Sequence, residues 1–238
     1  MSAHVALFVT CLVDVMRPRI GFAAIRALEA AGCTVVVPQG QTCCGQPALN
    51  SGDRSHAVAL AKQTIEALEP YEAVVVPSGS CAGTIRCHYP ELFDDDAAWR
   101  ARAQAVACGW KPEGVTLPAT ATYHDSCSGL RQLGIKAQPR RLLKAIDGLS
   151  MTPLPGAETC CGFGGTFCVK YPAISNAIVG EKADAIDATG ADLLLAGDLG
   201  CLMNMAGKLH RNGSKIRAFH AIELISGMGD GPAIGEEA

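Results

Sequence analysis

The sequence predicts an α/β protein made of two pseudo-symmetric, cysteine-rich repeats of the βαβ type, each built on a parallel sheet. Three observations support this prediction. Strand-like and helix-like segments alternate along the chain, Pro and Gly mark their boundaries, and one set of cysteines occurs twice in the same order. Strands separated by helices of this length pair in parallel through right-handed crossovers.

The duplicated cysteines define the period of the repeat. The first set is Cys11, Cys43, Cys44 and Cys81, and the second set is Cys127, Cys160, Cys161 and Cys201. Each member of the second set follows its counterpart by 116 to 120 residues, and a glycine follows each Cys-Cys pair (Gly45 and Gly162). This period is far longer than that of a solenoid repeat, so the chain is predicted to contain a duplicated domain-sized unit.

The first half is predicted to contain three strands with helices between them. Pro18 suits the first turn of a helix that Gly32 ends, and Asp53 can cap the next helix. The predicted elements are a strand over 5–10, a helix over 18–31, a strand over 34–37, a loop over 39–52, a helix over 53–68 and a strand over 73–76. Each cysteine position of the set therefore follows a strand.

The second half repeats this order and adds a strand and a helix. Its predicted elements are strands over 119–124, 151–154, 192–196 and 216–219, and helices from near Pro139 to 146, over 173–189 and over 221–225. The predicted domains are a first repeat over 1–92, a connecting segment over 93–118 that is partly helical over 95–107, a second repeat over 119–226, and a flexible tail over 227–238.

Composition argues against several classes of function. The net charge of −3 does not favour a nucleic-acid surface, and 5% aromatic residues are too few for stacking single-stranded bases. The apolar run near the N-terminus lacks the basic region and cleavage site of a signal peptide, and no stretch is long enough to span a bilayer. We therefore expect a cytoplasmic protein, whose clustered cysteines bind a metal rather than form disulfides.

The positions of the eight repeated cysteines indicate two metal sites, one in each half. The carboxyl ends of parallel strands meet at one edge of a sheet, so the four thiols of each set are expected to converge there. Four thiolates suit an iron–sulfur cluster and also a closed zinc site. Cys33, Cys87 and Cys108 have no counterpart in the other half and are expected to be structural, as is Cys168.

Several runs resemble the CCG, or cysteine-rich, domain family over nearly the whole chain. The family includes a two-repeat component of heterodisulfide reductase and the iron–sulfur subunits of glycolate oxidase and anaerobic glycerol-3-phosphate dehydrogenase. The resemblance rests on Thr-Cys-Cys-Gly-Gln-Pro-Ala over 42–48, Ser-Cys-Ala-Gly over 80–83, Leu-Arg-Gln-Leu-Gly-Ile over 130–135, Cys-Cys-Gly-Phe-Gly-Gly-Thr-Phe over 160–167 and Gly-Cys-Leu-Met-Asn over 200–204. The chain departs from the family pattern where a final cysteine is replaced by Thr84 and by Asn204. We expect these two residues to form hydrogen bonds, with weak ligation through oxygen as the alternative.

The resemblance is strongest to two-repeat members that serve lactate utilization, and it implies a function. The chain is expected to be the iron–sulfur electron-transfer subunit of a complex that oxidises L-lactate to pyruvate, with one or two [4Fe–4S] clusters. Its expected partners are a ferredoxin-like lactate utilization protein B and a protein C. No catalytic residue is predicted, because this chain alone is not expected to contain a complete active site.

Two other functions remain open. A thiol–disulfide catalyst of the heterodisulfide reductase type would require a fifth thiol, which neither half offers. A structural module stabilised by zinc would be colourless and redox-silent, and zinc could also occupy only one half. The second half has the more glycine-rich loop after its cysteine pair, so we favour it as the cluster site if only one half holds iron.

Polar residues beside the leading cysteines suggest no catalytic pair. His124 and Asp125 are interpreted as a packed histidine at a strand end and an aspartate that caps a helix. The basic residues near the leading cysteines are interpreted as solvated helix ends, with charge compensation at the metal site or carboxylate binding as alternatives. These residues are Arg17, Arg19, Arg131, Lys136, Arg140 and Arg141.

Overall fold

The computed structural model describes residues 4–71, 73–104 and 116–236. The described residues up to 104 belong to one compact unit, and those from 116 onwards belong to a second. Each unit contains a parallel sheet with helices packed around it. The α/β class and the parallel sheets predicted from the sequence are therefore confirmed.

The first unit is built on a three-stranded sheet in the order β2-β1-β3. Its strands are β1 (His4–Leu7), β2 (Thr34–Val36) and β3 (Ala73–Val75), and Val5 of the central strand pairs with Val35 and with Ala73. The helices are α1 (Cys11–Met16), α2 (Pro18–Ala30), α3 (Gln46–Asn50), α4 (Arg54–Leu68), α5 (Gly79–Gly83), α6 (Tyr89–Leu92) and α7 (Ala97–Gln104), with a π-helical turn over Thr84–His88 between α5 and α6.

Local sequence explains where the two long helices of this unit begin. Pro18 is the first residue of α2, where its missing N–H costs no helical hydrogen bond. Asp53 caps α4, since its carboxylate accepts a hydrogen bond from the backbone N–H of His56 at 3.2 Å. The apolar faces of these helices cover the sheet and bury Ile20 and Ile65 almost completely.

The second unit has a four-stranded parallel sheet in the order β5-β4-β6-β7. Its strands are β4 (Thr116–His124), β5 (Asp147–Met151), β6 (Leu193–Ala196) and β7 (Arg217–His220). Its helices are α8 (Cys127–Leu133), α9 (Ala137–Leu143), α10 (Phe167–Lys170), α11 (Pro172–Asp187), α12 (Leu199–Arg211) and α13 (Ala221–Ile225). The order β5-β4-β6 repeats the order β2-β1-β3 of the first unit, and β7 is an addition.

The strand predicted over 151–154 lies earlier in the chain, at Asp147–Met151. This strand is at the edge of the sheet and is largely exposed, so it carries no apolar pattern that would reveal it. The N–H of Thr152 still donates to the carbonyl of Ala121 at 2.8 Å. Pro153 follows and has no N–H to donate, so the pairing ends there.

The helix predicted over 95–107 is observed as α7 in the first unit, and residues 105–107 lie outside the described part of the chain. Trp99 of α7 stacks on Phe93 with ring centroids 5.6 Å apart. The guanidinium of Arg102 lies over the Trp99 ring and binds Glu69 of the same unit at 2.6 Å. These contacts hold α7 against the end of α4.

The segment that follows α13, where a flexible tail was expected, contacts the last strand of its sheet. The N–H of Ile234 donates to the carbonyl of Ala218 at 2.9 Å, and the guanidinium of Arg217 binds the carboxylate of Glu236 through two nitrogens, each at 2.9 Å. Ala233 is buried between these contacts. Among the helices of the described residues, none is long and apolar enough to cross a membrane.

Candidate metal centres

In both units the repeated cysteines lie just beyond the carboxyl ends of three adjacent strands. In the first unit, Cys11 begins α1 after β1, the pair Cys43-Cys44 follows β2, and Cys81 lies in α5 after β3. The second unit places Cys127, the pair Cys160-Cys161 and Cys201 in the same way after β4, β5 and β6. The order of the strands explains the convergence, because the leading cysteine follows the central strand and the others follow its two neighbours.

The four thiols of the first unit form a continuous hydrogen-bonded group. The Cys43 side chain is hydrogen-bonded to those of Cys11 and Cys44. The Cys44 side chain is hydrogen-bonded in turn to that of Cys81. Cys44 and Cys81 are buried, whereas Cys11 and Cys43 are half-buried. The group therefore has an inner side enclosed by protein and an outer side nearer to solvent.

The thiols of the second unit are connected in the same pattern. The Cys160 side chain is hydrogen-bonded to those of Cys127 and Cys161. The Cys161 side chain is hydrogen-bonded to that of Cys201. Cys161 and Cys201 are the buried members. Each described cysteine is a free thiol, and the eight that the sequence singled out form two groups of four, one in each unit.

One cysteine of each group is poised to be the thiolate. Hydrogen bonds from Cys11 and Cys44 lower the pKa of Cys43 to about 2, and those from Cys127 and Cys161 lower the pKa of Cys160 to about 2. The thiols that donate these hydrogen bonds resist ionisation, so the pKa of Cys44 and the pKa of Cys161 are raised, further helped by burial. Without a metal, only one thiol of each group ionises readily. A multivalent cation would favour ionisation of the others as well, by binding all four sulfurs as thiolates.

The glycine after each cysteine pair turns the backbone towards the sulfur. Gly45 and Gly162 have φ angles of 79° and 81°, in the left-handed region that other residues avoid. Their N–H groups donate to the sulfurs of Cys43 and Cys160 at 3.4 and 3.3 Å. This short local bond favours the thiolate at the first cysteine of the pair.

Side chains from neighbouring helices fasten the cysteine-pair loops. The hydroxyl of Tyr89 donates to the carbonyl of Cys44 at 2.8 Å, and the amide of Asn204 donates to the carbonyl of Cys161 at 2.8 Å. The hydroxyl of Thr84 donates to the carbonyl of Ser80 at 3.0 Å. Thr84 and Asn204, which replace the family's final cysteine, therefore form the hydrogen bonds that were predicted for them.

The two sites differ in the residues that surround them. Three positions before the leading cysteine, the first unit has the buried Phe8 and the second has the buried His124. Twenty-two positions after the first cysteine of each pair, the first unit has the buried Ile65 and the second has the buried Lys182. Burial and the nearby charge of Lys182 lower the pKa of His124 to about 4, so its imidazole is neutral. The second site is therefore the more polar one.

His124 is the residue whose place at the site the sequence interpretation missed. Its ring and the sulfurs of Cys161 and Cys201 form a group in which one potential ligand atom from each lies within 4.8 Å of the others. An alignment of the two halves on their leading cysteines would have drawn attention to His124, because the equivalent residue in the first half is Phe8. The interpretation of His124 as a packed strand-end residue describes its burial but not its neighbours.

The interpretation of Asp125 as a helix cap is wrong. The cap of α8 is Ser126, whose hydroxyl accepts from the N–H of Gly129 at 3.3 Å. The carboxylate of Asp125 instead binds the guanidinium of Arg140 at 2.6 and 2.7 Å. Arg140 is thus part of a partly buried ion pair rather than a solvated helix end, and it also lies over the ring of Tyr123.

Cys33, Cys87 and Cys168 are the other cysteines of the described residues. The thiol of Cys168 donates to the carbonyl of Gly165 at 3.3 Å and so braces the glycine-rich loop after Cys161. Cys33 and Cys87 are half-buried rather than buried, and Cys108 lies outside the described residues. A structural role fits Cys168 through this hydrogen bond.

The fold and the two thiol groups define a duplicated cysteine-rich α/β protein with a candidate metal centre in each unit. The chain belongs to the cysteine-rich domain family, designated CCG, which it matches over residues 5–86 and again over residues 121–206. The two matched regions contain all eight repeated cysteines.

Known proteins resemble the chain over most of its length. It is 46% identical to lactate utilization protein A of Exiguobacterium sp., with 94% of this chain and 97% of that protein covered. It is also 46% identical to lactate utilization protein A of Macrococcus caseolyticus, with 93% and 96% covered. A crystal structure of a hypothetical protein from Helicobacter pylori shares the fold, with a TM-score of 0.64 at 12% identity over 96% of this chain and 49% of that one.

Proposed function

We propose that this chain is an iron–sulfur electron-transfer subunit in lactate catabolism, acting in the oxidation of L-lactate to pyruvate. The observation that carries the proposal is the presence of two groups of four converging thiols, one in each unit. The name of the relatives that match nearly the whole chain supports lactate utilization as the process.

The thiol groups have the donor chemistry that an iron–sulfur cluster requires. We propose that Cys11, Cys43, Cys44 and Cys81 hold one [4Fe–4S] cluster, and that Cys127, Cys160, Cys161 and Cys201 hold a second. Such a cluster supplies one-electron transfer when it is bound. The same donors accept zinc, so the metal content of each unit is part of the test.

The protein surroundings suit a redox centre that changes charge without rearrangement. Hydrogen bonds from Tyr89 and Asn204 fix the loop backbones, and the left-handed glycines fix the turn beside each sulfur. The half-buried cysteines Cys11 and Cys127 lie on the outer side of their groups. A docked redox protein would approach the centre from this side.

The overall reaction requires partners. Oxidation of lactate to pyruvate releases two electrons and two protons, and a one-electron carrier passes the electrons on singly. We propose that the ferredoxin-like lactate utilization protein B and protein C provide the other parts of this cytoplasmic system. This chain is proposed to make or break no bond of the substrate by itself.

The test is a measurement of iron, sulfide and zinc per chain on anaerobically purified protein, with EPR spectra before and after reduction by dithionite. Four or eight irons with matching sulfide and a signal that appears on reduction would support the proposal. Stoichiometric zinc, with no iron even after anaerobic reconstitution, would reject it in favour of a structural metal module.

A further inference from the structure

The second candidate metal centre contains a histidine that has no counterpart in the first. His124 is the last residue of β4, and only 1% of its surface is exposed. Within the described part of the chain, neither of its ring nitrogens has a hydrogen-bond partner. Phe8 occupies the corresponding place in the first unit and offers no ligand atom.

A buried imidazole without a partner is costly. A polar atom that is buried without a partner loses its hydrogen bonds to water and gains none in return, and native proteins rarely leave such atoms unpaired. The neighbours of His124 are the charged or ionisable groups Lys182, Asp198, Asp125 and Cys160. Lys182 donates to the carbonyl of Gly156, Asp125 binds Arg140, and Asp198 accepts from the N–H of Cys201. None of the four groups is a hydrogen-bond partner of the imidazole.

The position of the ring points to a metal as the missing partner. One ring nitrogen and the sulfurs of Cys161 and Cys201 lie within 4.8 Å of one another, and all three residues are buried. Neutral imidazole is the commonest protein ligand of transition metals, and Cys–His donor sets hold iron and zinc alike. A metal bound by the two cysteines would therefore also be within reach of His124.

We infer that His124 is a nitrogen ligand of the metal centre in the second unit and adds a fifth donor to Cys127, Cys160, Cys161 and Cys201. This inference rests on the proposed function in so far as the metal is iron. The family pattern has a fifth donor in the form of a final cysteine, but Asn204 at that position binds the carbonyl of Cys161. The fifth donor comes instead from the end of the central strand.

The inference also makes the two centres chemically different. The first unit offers four thiols and an apolar Phe8, whereas the second offers four thiols, an imidazole and the nearby ammonium group of Lys182. The chain would thus carry one all-thiolate centre and one mixed nitrogen–sulfur centre. Two centres of this kind are expected to have separate spectra and separate potentials.

The test on the native protein uses nitrogen hyperfine coupling. The full chain is reconstituted with iron and sulfide after growth with 15N-labelled histidine, reduced with dithionite and studied by pulsed EPR. We expect a strongly coupled histidine nitrogen, whose signal changes between the 14N and 15N samples. A reduced centre in which no histidine nitrogen is strongly coupled would overturn the inference, and no variant has to fold for this result.

Variants assign the coupling to one residue. His124→Phe introduces the residue that the first unit already has at this place, and it should abolish the coupling. His210→Gln, at an exposed histidine in the last turn of α12, should leave the coupling unchanged. Persistence of the coupling in a folded His124→Phe protein would also overturn the inference.

The same experiment separates this inference from the proposed function. If the purified chain contains zinc and no iron, the proposed function fails, and X-ray absorption at the zinc edge then tests the ligand. A nitrogen in the zinc shell that is lost in His124→Phe would support the inference without iron. An all-sulfur zinc shell would reject both.

Discussion

Arg140 and Asp125 form a bidentate ion pair directly beside the second candidate metal centre. Two guanidinium nitrogens donate to the two carboxylate oxygens at 2.6 and 2.7 Å. The Asp125 side chain is 1% exposed, and that of Arg140 is 30% exposed. The pair fastens α9 to the end of β4, where His124 and Cys127 begin the site.

Removal of Arg140 should destabilise the second unit. In Arg140→Ala the Asp125 carboxylate remains buried without its partner. Loss of one member of a fully buried pair costs about 3–5 kcal/mol, which is the upper bound here because the Arg140 side chain is 30% exposed. We expect a fall in the thermal midpoint of the metal-free protein, measured by circular dichroism. Arg141→Ala, at an exposed neighbour on the same helix, is the control and should change little. Equal effects of the two substitutions would contradict the prediction, and Asp125→Asn added to Arg140→Ala should restore part of the loss.

Single cysteine substitutions should empty the two sites separately. Cys44→Ala and Cys161→Ala each remove a buried thiol from one group, so each protein should lose the iron of one unit and retain that of the other. Iron and sulfide analysis after anaerobic reconstitution measures this loss. Cys33→Ala, at a thiol outside both groups, should keep the full content. If Cys44→Ala and Cys161→Ala both lost all iron, the sites would not be independent.

The two loop glycines should differ in their tolerance of alanine. Both have positive φ angles, so either substitution incurs a backbone strain of about 1–2 kcal/mol. A Cβ at Gly162 would also lie 2.8 Å from the carbonyl oxygen of Ser175, whereas a Cβ at Gly45 would meet no atom closer than 3.4 Å. Urea unfolding should therefore show a larger loss of stability for Gly162→Ala than for Gly45→Ala. Equal losses for the two variants would contradict the prediction, because they would mean that movement of the loop relieves the crowding at Gly162.

Metal binding should become stronger as the pH rises. In the metal-free protein the pKa of Cys44 and the pKa of Cys161 are raised by their hydrogen bonds to neighbouring sulfurs and by burial, so these thiols keep their protons at neutral pH. Binding as thiolates releases those protons, and a higher pH favours their release. Cys43 and Cys160, with a pKa of about 2, release none.

Zinc titration of the metal-free chain at pH 6 and pH 8 measures this dependence. The affinity should be higher at pH 8, and calorimetry in buffers with different heats of ionisation should show net proton release. An affinity that does not change between the two pH values would mean that the thiols of the empty site are already ionised.

Much of the fold followed from local sequence because its signals are local. Pro18 and Asp53 mark helix starts whatever the surroundings, and a short β-branched run identifies the strand Thr34–Val36. The edge strand Asp147–Met151 escaped because exposed strands need no apolar alternation. The helix cap at Ser126 was missed because the adjacent Asp125 is an equally good capping residue by type, and only the position of Arg140 distinguishes them.

The sequence by itself determined the duplication, the α/β class and the eight cysteines, because a repeated spacing of one rare residue type is visible without coordinates. The tertiary structure decided which other groups lie at the sites. His124 at the end of β4, Lys182 in α11 and Asp198 just before α12 lie beside the second thiol group, although they are far apart along the chain. Contacts of this kind depend on how strands and helices pack. Packing is the result of many weak contacts between distant segments, which no short stretch of sequence contains.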